Sequence, residues 1–168
     1  MSGKTVNLPR RKPTRIRGFD YNANKLYFVT ICTKGRRKIL SDIVGDDAHI
    51  VQSEYGLVVE KYIVRVPEIE KYVIMPNHIH LIIRLEEPEN PDKDILGRCG
   101  HRPLQSNRVS SIVRSLKTLV TKEIGEAVFQ RSFHDHIIRG EKDYRKIYEY
   151  IDSNPSIWKE DCFYKENL

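Results

Sequence analysis

Histidine recurs at intervals of two in this chain, at His78-Ile79-His80 and again at His134-Asp135-His136. Residues two apart in a β-strand project from the same face. Two neutral imidazoles placed side by side in this way can hold one divalent cation and leave positions open for phosphate oxygens. The first pair lies in the run YVIMPNHIHLII at residues 72–83, so Ile79 points the other way, into apolar packing. A lone His-x-His is also common on solvent-facing strands, and a metal site needs a third ligand. In the second pair the intervening Asp135 would face the packed side of the same sheet, which is costly unless the carboxylate is partnered. Asp135 and His136 are therefore expected to give polar support or a nucleic-acid contact near the first pair, or alternatively a ligand.

A tyrosine-rich stretch follows near the C-terminus. Tyr144, Tyr148 and Tyr150 fall in one helical run, and Asn154 stands just before Pro155. Tyr150 and Asn154 are an i, i+4 pair and share a face. Tyr148 lies about 200° around the helix from Tyr150, beside Tyr144 and Ile151, which makes a sensible packing stripe. Core packing is the alternative for any single tyrosine here, and Asn154-Pro155 also reads as an ordinary helix end. In the functional reading, the Asn154 amide oxygen completes a metal site beside the Tyr150 hydroxyl. A phenol with pKa near ~10 is a poor nucleophile at neutral pH. A divalent cation on a bound phosphate, with Arg145 and Lys146 close by, would favour the phenolate. Its attack on a phosphodiester leaves a 5′-phosphotyrosine and a free 3′-hydroxyl, which conserves bond energy for rejoining.

These side chains need elements to hold them. Leu26 to Thr33 (LYFVTICT) is β-branched and aromatic and reads as a strand. Lys34 to Lys38 forms a basic turn, and residues 39–49 read as a loop around Gly45-Asp46-Asp47. From about Gln52 to Val66 the apolar positions keep helical spacing until Pro67. Two strands follow, roughly Ile69 to Met75 and Ile79 to Leu85, hinged at Pro76-Asn77. Residues 86–108, with three prolines and two glycines, read as a long exposed loop. Ser110 to Ile124 is an amphipathic helix with a serine cap. Val128 to Ile138 reads as a strand, and Glu141 to about Ser153 as a final helix entered at Gly140 and stopped by Pro155. Strand, helix, strand, strand, helix, strand gives an α+β fold, a ferredoxin-like four-stranded antiparallel sheet. Two helices cover one face, and a C-terminal tyrosine-bearing helix is appended.

Composition narrows the class of function. At 168 residues, with 39% hydrophobic and 31% charged residues, the chain suits one globular domain. Expected boundaries are a basic arm over 1–24, a catalytic domain over 25–155 and a short tail over 156–168. No run approaches a membrane helix, and three widely spaced cysteines argue against a disulfide framework and for a cytoplasmic protein. Residues 1–38 hold eleven Lys and Arg against one acid, Asp20, which is +10 of a net +6. The remainder must then sum to −4. So concentrated a basic arm suggests a polyanionic partner, because phosphate contacts release condensed counterions; a solvated tail is the alternative.

Four segments together carry a resemblance: FVTICTKGRR at 28–37, YVIMPNHIHLII at 72–83, SIVRSLKTLVTKEI at 111–124, and FQRSFHDHIIRGEKDYRKIYEYIDSNP at 129–155. Across roughly Leu26 to Asn154 the chain resembles the HUH single-tyrosine transposases, especially the REP-associated tyrosine transposases. The resemblance implies Mg²⁺ or Mn²⁺ and cleavage of single-stranded DNA beside a palindromic hairpin. By similarity, His78 and His80 match the metal-binding pair, Tyr150 the nucleophile and Asn154 the third ligand. It further implies a monomer, with a homodimer exchanging tyrosine helices about Gly140 the alternative. Two features depart from the family pattern, a short tail over Ser156 to Leu168 and a long, Pro- and Gly-rich loop over 86–108, and they leave hairpin selection open. From charge and position, Arg36, Arg37 and Lys117 are expected to contact DNA. A non-catalytic hairpin-binding protein on the same fold is the competing reading.

Overall fold

The computed structural model describes residues 25–86 and 108–164. The basic arm expected over 1–24, most of the loop expected over 86–108, and Cys99 lie outside the described residues. Within them the elements run β1 (Lys25–Cys32), β2 (Ser41–Val44), β3 (His49–Gln52), α1 (Glu54–Ile63), β4 (Ile69–Met75), β5 (His78–Leu85), α2 (Arg108–Ile124), β6 (His134–Ile138) and α3 (Glu141–Ser153).

Four of the strands form one sheet in the order β4-β5-β1-β6, with each neighbour antiparallel. Setting the small β2–β3 hairpin aside, this is the ferredoxin-like order reached from the sequence. Strand β5 owes its central place to its composition. From His78 to Ile83 every residue is buried, which requires cover on both faces. On one face Ile79, Leu81 and Ile83 join Tyr27, Val29 and Ile31 of β1, with Val59 and Ile63 of α1 and Val113, Leu116 and Val120 of α2. On the other face Ile82 packs with Val73 and Met75 of β4, Ile147 and Ile151 of α3, and Trp158. The histidines share the α3 face because strand alternation places them with Ile82.

Local chemistry sets the element ends. Ser53 caps α1: its Oγ accepts from Gly56 N at 3.1 Å and donates to the Ile39 carbonyl at 2.6 Å. Gly56 admits no side chain, since a Cβ there would stand 2.1 Å from the Leu40 carbonyl oxygen. Gly140 precedes α3 with φ +83°, a left-handed value that glycine adopts freely.

Four expectations change. Helix α2, expected from a serine cap at Ser110, begins at Arg108, so Ser110 lies inside it. Residues 39–49, read as a loop, contribute β2 and the start of β3, a hairpin turning at residues 45–48. Its strands are four residues long and largely exposed, too short for alternation to stand out. The helix expected from Gln52 begins at Glu54, because Gln52 pairs in β3 and Ser53 is its cap. The strand expected over 128–138 is confined to 134–138, preceded by a single Thr33–Phe129 bridge. Between them the chain leaves the sheet, and Lys117 Nζ donates to the carbonyls of Gln130 (2.8 Å) and Ser132 (3.0 Å), with a longer contact to Arg131.

Candidate active site

The histidine pair is held from two sides. In the β1–β5 register Thr30 stands opposite His80. Directly opposed residues share a face, and Thr30 Oγ1 meets His80 Nδ1 at 2.8 Å. Asn77 Nδ2 donates to the Phe163 carbonyl at 2.8 Å, which turns Asn77 Oδ1 toward His78 Nδ1 at 2.9 Å. His78 therefore carries its proton on Nδ1, and its Nε2 lone pair is presented to the site. The two Nε2 atoms lie 2.9 Å apart, a separation at which two nitrogens can serve as neighbouring ligands of one cation.

Both rings are almost fully enclosed. Phe28 stacks on His80 at 5.0 Å between centroids, and Phe163 lies 4.6 Å from His78, with Tyr150 and Trp158 completing the aromatic wall. Burial disfavours the charged imidazolium. It pushes His78 down to about 4 and His80 well below its ordinary value, an effect to which the charge of His78 adds. Neutral imidazoles are the form that binds a metal.

Helix α3 delivers two more groups to the same place. Tyr150 Oη lies 3.5 Å from His80 Nε2 and donates to Asp161 Oδ2 at 3.0 Å. One turn on, Asn154 is fully buried, and its Nδ2 donates to the same carboxylate oxygen at 2.8 Å. Its Oδ1 is buried with no hydrogen-bond partner. An acceptor left so is costly, and this one has the chemistry of a hard-cation ligand. His78, His80 and Asp161 present donor atoms within 4.8 Å of one another, a cluster that could hold a metal ion. Burial and the Asp161 carboxylate together push the Tyr150 phenol well above its usual range.

No protein-family profile matches the chain. A Haemophilus influenzae protein of uncharacterised function is 33% identical over 182 aligned positions, covering 95% of this chain and 96% of the other. A second protein of that organism, provisionally named REP-associated tyrosine transposase, is 29% identical over 81% of this chain and 73% of its own. Among solved structures, a REP-associated tyrosine transposase bound to a REP hairpin superposes with a TM-score of 0.53 at 26% identity. That match covers 84% of this chain and 72% of the other. The chain is similar to REP-associated tyrosine transposases.

His78, His80, Tyr150 and Asn154, the four residues singled out in the sequence, lie in one cluster around Asp161. Arg36 is also near: its Nη1 donates to the Cys162 carbonyl at 3.3 Å and its guanidinium lies over Phe163. The other expected residues are elsewhere. Arg37 pairs with Glu126 at 3.7 Å, Lys117 is spent on the 130–132 carbonyls, and Arg145 pairs with Glu141. Lys146 is exposed one turn before Tyr150. His136 faces the α3 side but bonds Asp143 at 3.0 Å, at the start of that helix. Asp135 points to the opposite face, into a cavity beside α2, and gives the histidines no support. Tyr144 bonds Glu70, whereas Tyr148, expected to pack, is exposed and lies beneath Lys71 Nζ at 3.6 Å.

Thr30, Asn77 and Asp161 were missed. Asn77 adjoins the histidines in sequence, and its amide could have been suspected of bonding one of them. Thr30 and Asp161 gave no local signal, since their places depend on sheet register and on how the chain returns after α3. The described residues include no helix long and apolar enough to cross a membrane.

Proposed function

We propose that the protein is an HUH-type single-tyrosine nuclease and strand transferase that cleaves single-stranded DNA beside a hairpin, with Tyr150 as nucleophile. The observation that carries this reading is the Tyr150 hydroxyl 3.5 Å from His80 Nε2, against a histidine pair whose Nε2 atoms face each other at 2.9 Å. The related structure bound to a REP hairpin supports a palindromic single-stranded partner for this chain.

His78 Nε2, His80 Nε2 and the unpartnered Asn154 Oδ1 would hold Mg²⁺ or Mn²⁺. When bound, that ion polarises a phosphoryl oxygen and offsets the charge that builds on it. Tyr150 Oη forms a bond to phosphorus, and the bond from phosphorus to the 3′ oxygen breaks. The phenolic proton leaves along its existing hydrogen bond to Asp161, and the departing 3′ oxygen is protonated to a hydroxyl. The 5′ phosphate stays on the tyrosine, and reversal by another 3′-hydroxyl rejoins the strand. Thr30 and Asn77 fix the imidazole orientations throughout, and the aromatic wall excludes water that would otherwise hydrolyse the ester.

Incubation with single-stranded oligonucleotides carrying hairpins from the protein's own genomic neighbourhood tests this directly. With Mn²⁺ a denaturation-resistant protein–DNA band is expected, absent in EDTA and in Tyr150→Phe and retained in Tyr148→Phe. Tight hairpin binding with no adduct under any condition would replace this reading with a non-catalytic binder.

A further inference from the structure

After α3 the chain turns back to the histidines, and what it brings there decides which way one candidate ligand faces. Asp161 is buried, and both of its carboxylate oxygens are engaged. Oδ1 accepts from Phe163 N at 2.6 Å, while Oδ2 accepts from Tyr150 Oη at 3.0 Å and from Asn154 Nδ2 at 2.8 Å. A carboxylate has no proton to donate, so the amide atom that faces it must be nitrogen. The Asn154 side chain is thereby locked with Oδ1 turned away from Asp161, and that oxygen is buried with no hydrogen-bond partner. Only the oxygen of an amide can bind a hard cation, so this orientation decides whether Asn154 is a ligand at all. Asp161 is held in turn. Arg36 Nη1 donates to the neighbouring Cys162 carbonyl at 3.3 Å, and its guanidinium lies 5.0 Å from the centre of the Phe163 ring. The Phe163 backbone serves both sides of the site: its N–H fixes Asp161, and its carbonyl accepts from the Asn77 amide that orients His78.

We propose that Asp161 is a positioning residue for the metal site, one that makes an asparagine act as a ligand without binding the cation itself. The two lone pairs of Oδ2 are already taken, by Tyr150 and Asn154, which leaves that oxygen nothing to offer an ion. The proposal rests on the metal-dependent reading above and adds the device that orients its third ligand. It makes an isosteric change severe. In Asp161→Asn the Phe163 N–H still requires an oxygen, so the new amide turns its NH2 group to Asn154. The Asn154 amide must then turn over to accept, and it presents Nδ2 to the cation.

Mn²⁺ binding to the full-length protein, without DNA, is read from the loss of the free-ion electron paramagnetic resonance signal. Asp161→Asn is expected to bind at least about tenfold more weakly than the wild type, the usual scale for losing an outer-shell partner. The exchange variant Asp161→Asn/Asn154→Asp should bind at least as tightly as the wild type. A carboxylate at position 154 accepts the NH2 on one side and still offers an oxygen on the other. That recovery would also show that the single variant had not merely misfolded. In an Asn154→Ala background, Asp161→Asn should cost far less than it does in the wild type, since no amide is left to orient. An equal loss in both backgrounds would make Asp161 a ligand or a simple counter-charge and overturn the proposal. Undiminished binding in the single variant, an exchange variant no better than it, or no Mn²⁺ binding by the wild type would overturn it equally. Adduct formation at Tyr150 is measured alongside. If the Mn²⁺ pattern holds and the wild type forms no adduct, the cleavage reading fails and the positioning role stands; a normal adduct with Mn²⁺ affinity unchanged in Asp161→Asn removes the positioning role alone.

Discussion

At Tyr150 two influences oppose ionisation: burial against the aromatic wall, and the Asp161 carboxylate that both repels a phenolate and holds the hydroxyl proton. Removing the second should leave burial as the main one. Asp161→Asn is therefore expected to lower the Tyr150 midpoint, on the order of one pH unit for loss of an adjacent like charge. An ultraviolet difference titration of Asp161→Asn against Asp161→Asn/Tyr150→Phe isolates that phenol, and an unmoved midpoint would show that desolvation alone sets it. The same residues show what was legible at this scale. The histidine pair could be read because a strand has period two, and Tyr150 with Asn154 because a helix brings i and i+4 together. Asp161 could not, since its position depends on a turn after α3 that leaves no periodic trace. The surroundings of Lys117 were hidden for a related reason. Its charge invited a phosphate, but three backbone carbonyls left by an irregular loop had first claim on it, and burial lowers its pKa to about 8.

Among the elements, α1 sits where it does because its first turn lies directly on the chain entering β2. The Gly56 position, a Cβ length from the Leu40 carbonyl, is the tightest expression of that contact. Leu40 is fully buried, its N–H bonds the Pro76 carbonyl, and Ser41 Oγ donates to the Ile74 carbonyl. The β2 entry thus links α1 to the β4–β5 turn that carries Asn77 and His78. Gly56→Ala must push backbone against backbone, and is expected to destabilise the fold by about 1–3 kcal/mol despite alanine's better helix propensity. Urea unfolding measures this, and a neutral or stabilised variant would mean that α1 can slide without cost. The long elements were readable from periodicity, as β1, β5, α2 and α3 show. The β2–β3 hairpin was not, because four-residue strands at a molecule's edge carry too few buried positions to alternate visibly.

Taken whole, the molecule is a sheet with a hydrophobic core on one face and a polar, enclosed site within the core on the other. This arrangement couples folding to pH. In the unfolded chain His78 takes up a proton near 6.5, but in the folded protein not until about 4, because burial excludes the charge. Between those values the unfolded chain binds more protons, so falling pH favours unfolding. The His78 contribution is complete above about 6.5 and is lost as pH falls toward 4; at pH 5 the loss is about 2 kcal/mol relative to pH 7.5. His80, shifted in the same direction by the same burial, adds to it. In EDTA, the urea midpoint of the wild type should drop between pH 7.5 and pH 5, and His78→Gln/His80→Gln should flatten that dependence even if it is less stable at neutral pH. Mn²⁺ should raise the wild-type midpoint at pH 7.5 and less at pH 5, since protons compete for the same nitrogens, and should leave the double variant unmoved. A pH profile equally steep in both proteins would locate the acid sensitivity elsewhere. A Mn²⁺ effect that survives loss of both histidines would place the ion away from this pair, and with it the chemistry assigned to Tyr150.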